Sequence, residues 1–156
     1  MTGAGQSTER KAAILTGAGR GIGKGIATTL AERGYDLVIT SRTRGDLGVT
    51  AQLVEDVGGS AAIVVADLKD PDTPSLLLET AIDRYGRLDG LVNNAAVNVF
   101  AHFWTQSEST LDETIATNLT APFYLCQAAA NFWVENGLGG AIVNISSAED
   151  TIAYPE

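Results

Sequence analysis

The chain has 156 residues, room for one ordinary domain, and 45% of them are hydrophobic, which excludes a disordered chain. Its formal net charge of −9 argues against a nucleic-acid partner, since such proteins carry a basic patch. It leaves open a phosphate site built from backbone N–H groups and one or two arginines. No apolar run is long enough to span a bilayer, and MTGAGQSTER at the front lacks the apolar core of a secretory leader. The sequence therefore predicts a soluble, cytoplasmic protein without a membrane partner. The single cysteine, Cys126, permits no internal disulfide and sits in the apolar run PFYLCQAAANFW, where it reads as a buried core thiol.

Residues 1–10 read as a disordered tail. From there short β-rich runs alternate with longer helical ones. AAILT (12–16) is a strand. The helix over 23–33 places Ile22, Ile26 and Leu30 on one apolar face. DLVIT (36–40) is a strand, and 46–57 is a helix with Leu47, Val54 and Val57 recurring, stopped by Gly58 and Gly59. AAIVVAD (61–67) is a strand, and Thr73 and Pro74 open a helix that runs to Tyr85 and ends at Gly86. LDGLVNNAA (88–96) contains a fourth strand, 109–135 is a long helical stretch that Pro122 can bend, and AIVNIS (141–146) is a fifth strand. The strands are apolar throughout rather than alternating, as expected when helices cover both sheet faces. Strand–helix–strand alternation with right-handed crossovers predicts a parallel, doubly wound α/β sheet of about five strands.

TGAGRGIG (16–23) follows a strand and opens a helix. Glycines there let the backbone turn sharply and approach a ligand, and the helix N-terminus offers free N–H donors to a pyrophosphate. With four further motifs in order, this segment resembles the short-chain dehydrogenase/reductase family. Those motifs are Asp67 ending VVAD, NNAA (93–96), Asn118 in IATNLTAPF, and IVNISS (142–147) with Ser147 as the better serine match. The resemblance spans residues 11–156 and implies a Rossmann-type dinucleotide-binding domain that is partial, its C-terminal part missing. It implies cofactor contacts from Thr16, Gly17, Gly19, Arg20, Gly21, Ile22 and Gly23, from Ser41 and Arg42, from Asp67 and Leu68, and from Asn94, Ala95 and Ala96. Ala96 stands where the family usually has glycine. The first asparagine, Asn93, is expected mainly to brace the sheet.

A fold that prefers NAD places Asp or Glu after the second strand to bind the ribose 2′-OH. Here Ser41 holds that position and Arg42 follows. An arginine can pair with a 2′-phosphate where an acid would repel it, and Arg20 adds a second cation. The sequence thus predicts NADP(H) rather than NAD(H).

The family's chemistry is hydride transfer between nicotinamide and a carbonyl carbon, with the proton handled by a Tyr-x-x-x-Lys pair. The lysine lowers the tyrosine pKa, a serine hydrogen-bonds the carbonyl oxygen, and an asparagine helps hold a water that links the lysine to solvent. Ser147 and Asn118 match the serine and the asparagine, and the pair has no match. Tyr154 lies too close to Ser147 and precedes Pro155, which disfavours helix there, so it reads as a loop residue beside the substrate entrance. The expectation is an N-terminal piece of an NADP(H)-dependent oxidoreductase that interconverts a small-molecule alcohol and a carbonyl compound, without turnover alone and from a homo-oligomeric parent. The fifth strand is expected to present an open edge, and Phe123, Leu125 and Trp133 to expose apolar surface. A non-catalytic NADP(H)-binding module and an isomerase or dehydratase on the same fold stay open. His102, Phe103 and Trp104 read as loop packing, pocket mouth or core cover. One histidine and one cysteine offer no evident metal ligand set, and Ser147 has no adjacent triad partner.

Overall fold

The computed structural model describes residues 9–99 and 101–147. Strands β1 (Lys11–Thr16), β2 (Tyr35–Ser41), β3 (Ala61–Val65), β4 (Gly90–Asn93) and β5 (Ala141–Asn144) alternate with helices α1 (Gly21–Glu32), α2 (Arg44–Asp56), α3 (Thr73–Tyr85), α4 (Glu108–Ile115) and α5 (Ala121–Glu135). All strand pairs are parallel, in the order β3-β2-β1-β4-β5. The order reverses between β1 and β4, and a sheet of this kind opens a crevice at that reversal, beyond the C-terminal strand ends.

Successive strand residues serve opposite faces. Ala13, Leu15, Leu37 and Ile39 pack with Ala27 and Ala31 of α1 and with Leu47, Ala51 and Val54 of α2. Ile14, Val38 and Leu91 pack with Leu77 and Ala81 of α3 and with Leu125, Ala129 and Trp133 of α5. Two covered faces explain why the strands read as unbroken apolar runs.

The expected face of α1 is corrected. Gly23, Ala27 and Ala31 are its buried residues, because small side chains let the helix lie close on the sheet. Ile26 and Leu30 pack partly against that core, and Ile22 is 70% exposed. Val57 is also exposed, just past the end of α2. The expected exposure of Leu125 and Trp133 is likewise corrected: both are buried, and only Phe123 is exposed. Trp133 Nε1 donates to Leu88 O at 2.7 Å, which satisfies the indole inside the core.

Residues 109–135 are helical throughout, as expected. A π-helical turn over Ala116–Thr120 joins α4 to α5, and Pro122 follows it as the second residue of α5. Ser107 caps α4, its Oγ accepting from Thr110 N. At the far end of the sheet Asp89 ties three strands: its N donates to Ala12 O, its Oδ2 accepts from Ala12 N, and its O accepts from Ala141 N. Arg87 grips both oxygens of the same carboxylate, each at 2.8 Å. Arg10, which the sequence places in the tail, donates to Asp36 and to the carbonyls of Ala31 and Tyr35. The rest of the tail, residues 1–8, lies outside the described residues. Among the described residues β5 pairs with β4 alone, and it is exposed along its length.

Candidate active site

The crevice at the strand-order reversal is a cleft of about 540 Å³. Its floor is made by Thr16, the last residue of β1. Thr16 is buried, and its Oγ1 accepts from Asn94 N and Ala95 N, both at 3.0 Å. Asn94 Nδ2 returns to Thr16 O at 3.0 Å and Gly17 O at 3.2 Å. Together these bonds lock the exit of β4 to the exit of β1.

Two glycines make that junction possible. Gly17 has φ +65°, and a Cβ on it would lie 2.7 Å from Ala95 Cα. A Cβ on Gly23 would strike Gly17 O and the Asn94 amide. Arg20 precedes α1 in extended conformation, and no side chain caps the helix, so its first N–H groups face the cleft mouth.

Ser41 and Thr43 form a local turn at the end of β2, Ser41 Oγ accepting from Thr43 N at 3.3 Å. Arg42 is largely exposed, with Nη1 3.4 Å from Glu113 Oε1 on α4. Arg20 makes no side-chain hydrogen bond or ion pair among the described residues. Asp67 lies beyond the end of β3, two residues earlier than its expected end. Its Oδ1 accepts from Lys69 N, and its carbonyl accepts from Thr73 Oγ1 at 2.9 Å.

Gly17, Gly19, Arg20, Gly21, Ile22, Gly23, Ser41, Arg42, Asp67, Leu68, Asn94, Ala95 and Ala96 all line the cleft. Thr16 lies beneath it. Asn118 and Ser147 are not among its lining residues. Asn118 is instead clamped to the Val97 backbone, and Ser147 is exposed just beyond β5. Tyr154 lies outside the described residues. The sequence reading missed Thr40, Thr43, Asp46, Ala66, Val97 and Thr117, which also line the cleft. Thr40 and Thr43 flank the predicted Ser41–Arg42 pair and Thr117 precedes Asn118, so adjacency was the available signal. Asp46, in the first turn of α2, carried none. Thr40 Oγ1 is buried without a hydrogen-bond partner among the described residues.

The remaining candidates lie elsewhere. Asn93 Nδ2 donates to Asn144 Oδ1 at 2.9 Å and to the half-buried Cys126 Sγ at 3.3 Å, which braces β4 against β5 and α5. His102 stacks on Trp104 with ring centroids 4.7 Å apart. Phe103 and Trp104 are exposed, so neither covers the core. Among the described residues, no group of three or more His, Cys, Asp or Glu is placed to hold a metal ion, and no helix is long and apolar enough to cross a membrane.

The chain is 36% identical over 146 residues to an uncharacterized oxidoreductase of Thermotoga maritima, covering 93% of this chain and 57% of the relative. A metagenomic short-chain oxidoreductase solved in complex with NADP superposes with a TM-score of 0.85 at 34% identity, over 92% of this chain and 65% of the other. Carveol dehydrogenase from Mycobacterium avium, solved in complex with NAD, superposes with a TM-score of 0.86 at 28% identity, over 93% and 57%. The chain thus spans little more than half the length of the Thermotoga relative. The sequence profile of the short chain dehydrogenases matches residues 11–156, beginning at the first residue of β1, and the chain belongs to that family.

Proposed function

We propose that the protein of which these residues form the dinucleotide-binding part is an NADP(H)-dependent oxidoreductase that interconverts an alcohol and a carbonyl compound. The observation that carries this reading is the Thr16–Asn94 junction. It packs against two cleft-lining glycines on which a side chain would strike the junction itself, next to a β2 end that carries Ser41 and Arg42 in place of an acid. The cradle suits a dinucleotide: Gly17 and Gly23 leave backbone within reach of a pyrophosphate, and the unpartnered Thr40 Oγ1 gives the cleft wall a spare polar group. The open N–H groups of α1 hold the pyrophosphate. Asp67 faces the adenine, and Arg42 and Arg20 meet the 2′-phosphate.

A bound nicotinamide dinucleotide supplies or accepts the hydride. This chain's residues bind and orient. Asn94, Ala95 and Ala96 shape the cleft floor, and Ser147 donates a hydrogen bond to the substrate oxygen. Asn118 acts from beside the cleft by fixing the segment after β4, and it helps hold a water of the proton path. The 156 residues contain no Tyr-x-x-x-Lys pair, and no turnover is expected from them alone. The alternative reading is an NADP(H)-binding module without catalysis. A cytoplasmic location and a homo-oligomeric whole protein belong to the same proposal, the latter supported by the exposed Phe123, Tyr124 and Val134 on α5.

Fluorescence titration with NADPH and NADH tests the reading. Arg42→Asp is expected to weaken NADPH binding about tenfold or more, by replacing a charge-assisted pair with a repulsion, and to change NADH binding far less. Equal loss for both would remove the NADP(H) preference. Failure of the unaltered protein to bind either would overturn the cofactor assignment. Binding of NADPH by the whole protein with no consumption across a panel of carbonyl compounds would favour the module.

A further inference from the structure

We propose that Glu113 tunes the cofactor preference of the cleft by competing with a nucleotide 2′-phosphate for Arg42. The inference rests on the reading of the cleft as a dinucleotide site and assigns a role to a residue outside its lining.

Glu113 lies on α4 and Arg42 on the turn after β2, 71 residues apart in the chain. Glu113 Oε1 stands 3.4 Å from Arg42 Nη1 and 4.0 Å from Lys69 Nζ, and Lys69 in turn stands 3.8 Å from Asp67 Oδ2. One carboxylate from the far wall therefore draws on two cations at the adenosine end of the cleft. Thr117, one helical turn beyond Glu113, lines the cleft itself, so this end of α4 belongs to its wall. Arg42 and Asp67 line it as well.

The end of β2 carries Ser41, so no acid there repels a 2′-phosphate. Glu113 brings an acid to the same guanidinium from another element. A phosphate dianion approaching Arg42 must share it with Glu113 or displace it, whereas a ribose 2′-OH makes no such demand. The pair is breakable: its contact is long, and the side chains of Arg42 and Glu113 are 62% and 34% exposed. Exposed pairs of this kind are weak, so Glu113 adjusts the preference rather than abolishing 2′-phosphate binding. Arg20, unpaired among the described residues, remains available to the same phosphate.

The test uses calorimetric titration of the protein with adenosine 2′,5′-bisphosphate and adenosine 5′-monophosphate, which probe only the adenosine end. Glu113→Gln is expected to raise affinity for the bisphosphate about three- to fivefold while the monophosphate changes less than about twofold. The gain is expected to shrink at high salt and to vanish when Arg42→Ala is already present. Glu55→Gln, the same charge change at an exposed position on α2, controls for net charge and should leave both affinities within about twofold. No gain, an equal gain for both nucleotides, or a selective loss would overturn the proposal and leave the dinucleotide reading intact. Failure of the unaltered protein to bind either nucleotide would overturn both.

Discussion

Asn118 holds Val97 at both backbone atoms: its Oδ1 accepts from Val97 N at 2.9 Å and its Nδ2 donates to Val97 O at 2.8 Å. A primary amide presents an acceptor and a donor side by side, so it mimics a neighbouring strand for a single residue. The chain leaving β4 thereby stays against the turn between α4 and α5.

Removing that clamp should loosen the cleft wall before it loosens the fold. Asn118→Ala is expected to cost about 1 kcal/mol of global stability, as for loss of a modest hydrogen-bonding pair. Hydrogen exchange at the Val97 amide should accelerate by about tenfold or more. Asn118→Asp keeps an acceptor for Val97 N but sets a carboxylate against Val97 O, so it should restore little. Unchanged exchange at Val97 in the alanine variant would show that other contacts hold the segment.

Two glycines of α1 should respond oppositely to the same substitution. At Gly23 an added methyl meets Gly17 O and the Asn94 amide, so Gly23→Ala should destabilise by about 1–3 kcal/mol and abolish NADPH binding. At Gly25 a Cβ meets nothing within 4 Å, and Gly25→Ala should stabilise by about 0.5–1 kcal/mol through the unfolded chain's lost freedom. Urea denaturation of both variants checks the contrast. A tolerated Gly23→Ala would mean that the β1–α1 turn can move away from Asn94.

Asp89 should give the fold a pH signature. Burial pushes its carboxyl up, but the Arg87 grip and the Ala12 N–H outweigh burial and hold it below the usual carboxylate range. A carboxyl depressed in the native state stabilises fully above its unfolded value of about 3.9, and the contribution disappears as pH falls through the lower native value. Asp89→Asn should therefore cost about 1–2 kcal/mol near neutral pH, with the gap to the unaltered protein closing on acidification. A gap that stays constant from pH 7 to about pH 3 would assign its cost to packing instead.

The sheet could be read from the sequence because its evidence is local. Five apolar runs and the glycines that end their neighbours lie within a few residues of each other. The glycine turn and the Ser41–Arg42 pair were readable for the same reason. Periodicity misled at α1, where weight given to Ile22, Ile26 and Leu30 hid the small residues that approach the sheet most closely. It misled again at α5, because an apolar helix with large residues on several faces does not reveal which of them meet β4. What pairs across the chain stayed hidden. No pattern within α4 tells that Glu113 reaches Arg42, and none within the π turn tells that Asn118 reaches Val97. Such partners are set by how the layers stack, after both segments have folded.

The π turn over Ala116–Thr120 separates chain length from angle. Each α-helical residue advances about 100° around the axis, and a π turn holds one residue more than an α turn. The wider turn takes up that surplus, so α5 keeps nearly the facing it would have after an ordinary α turn. With it, Thr117 faces the cleft, Asn118 meets Val97, and Leu125, Ala129 and Trp133 all face the sheet. Deleting Leu119, an exposed residue with no visible duty, would let the π turn close into an ordinary α turn and leave Trp133 facing Leu88. At this turn the chain carries one letter more than the register of α5 needs.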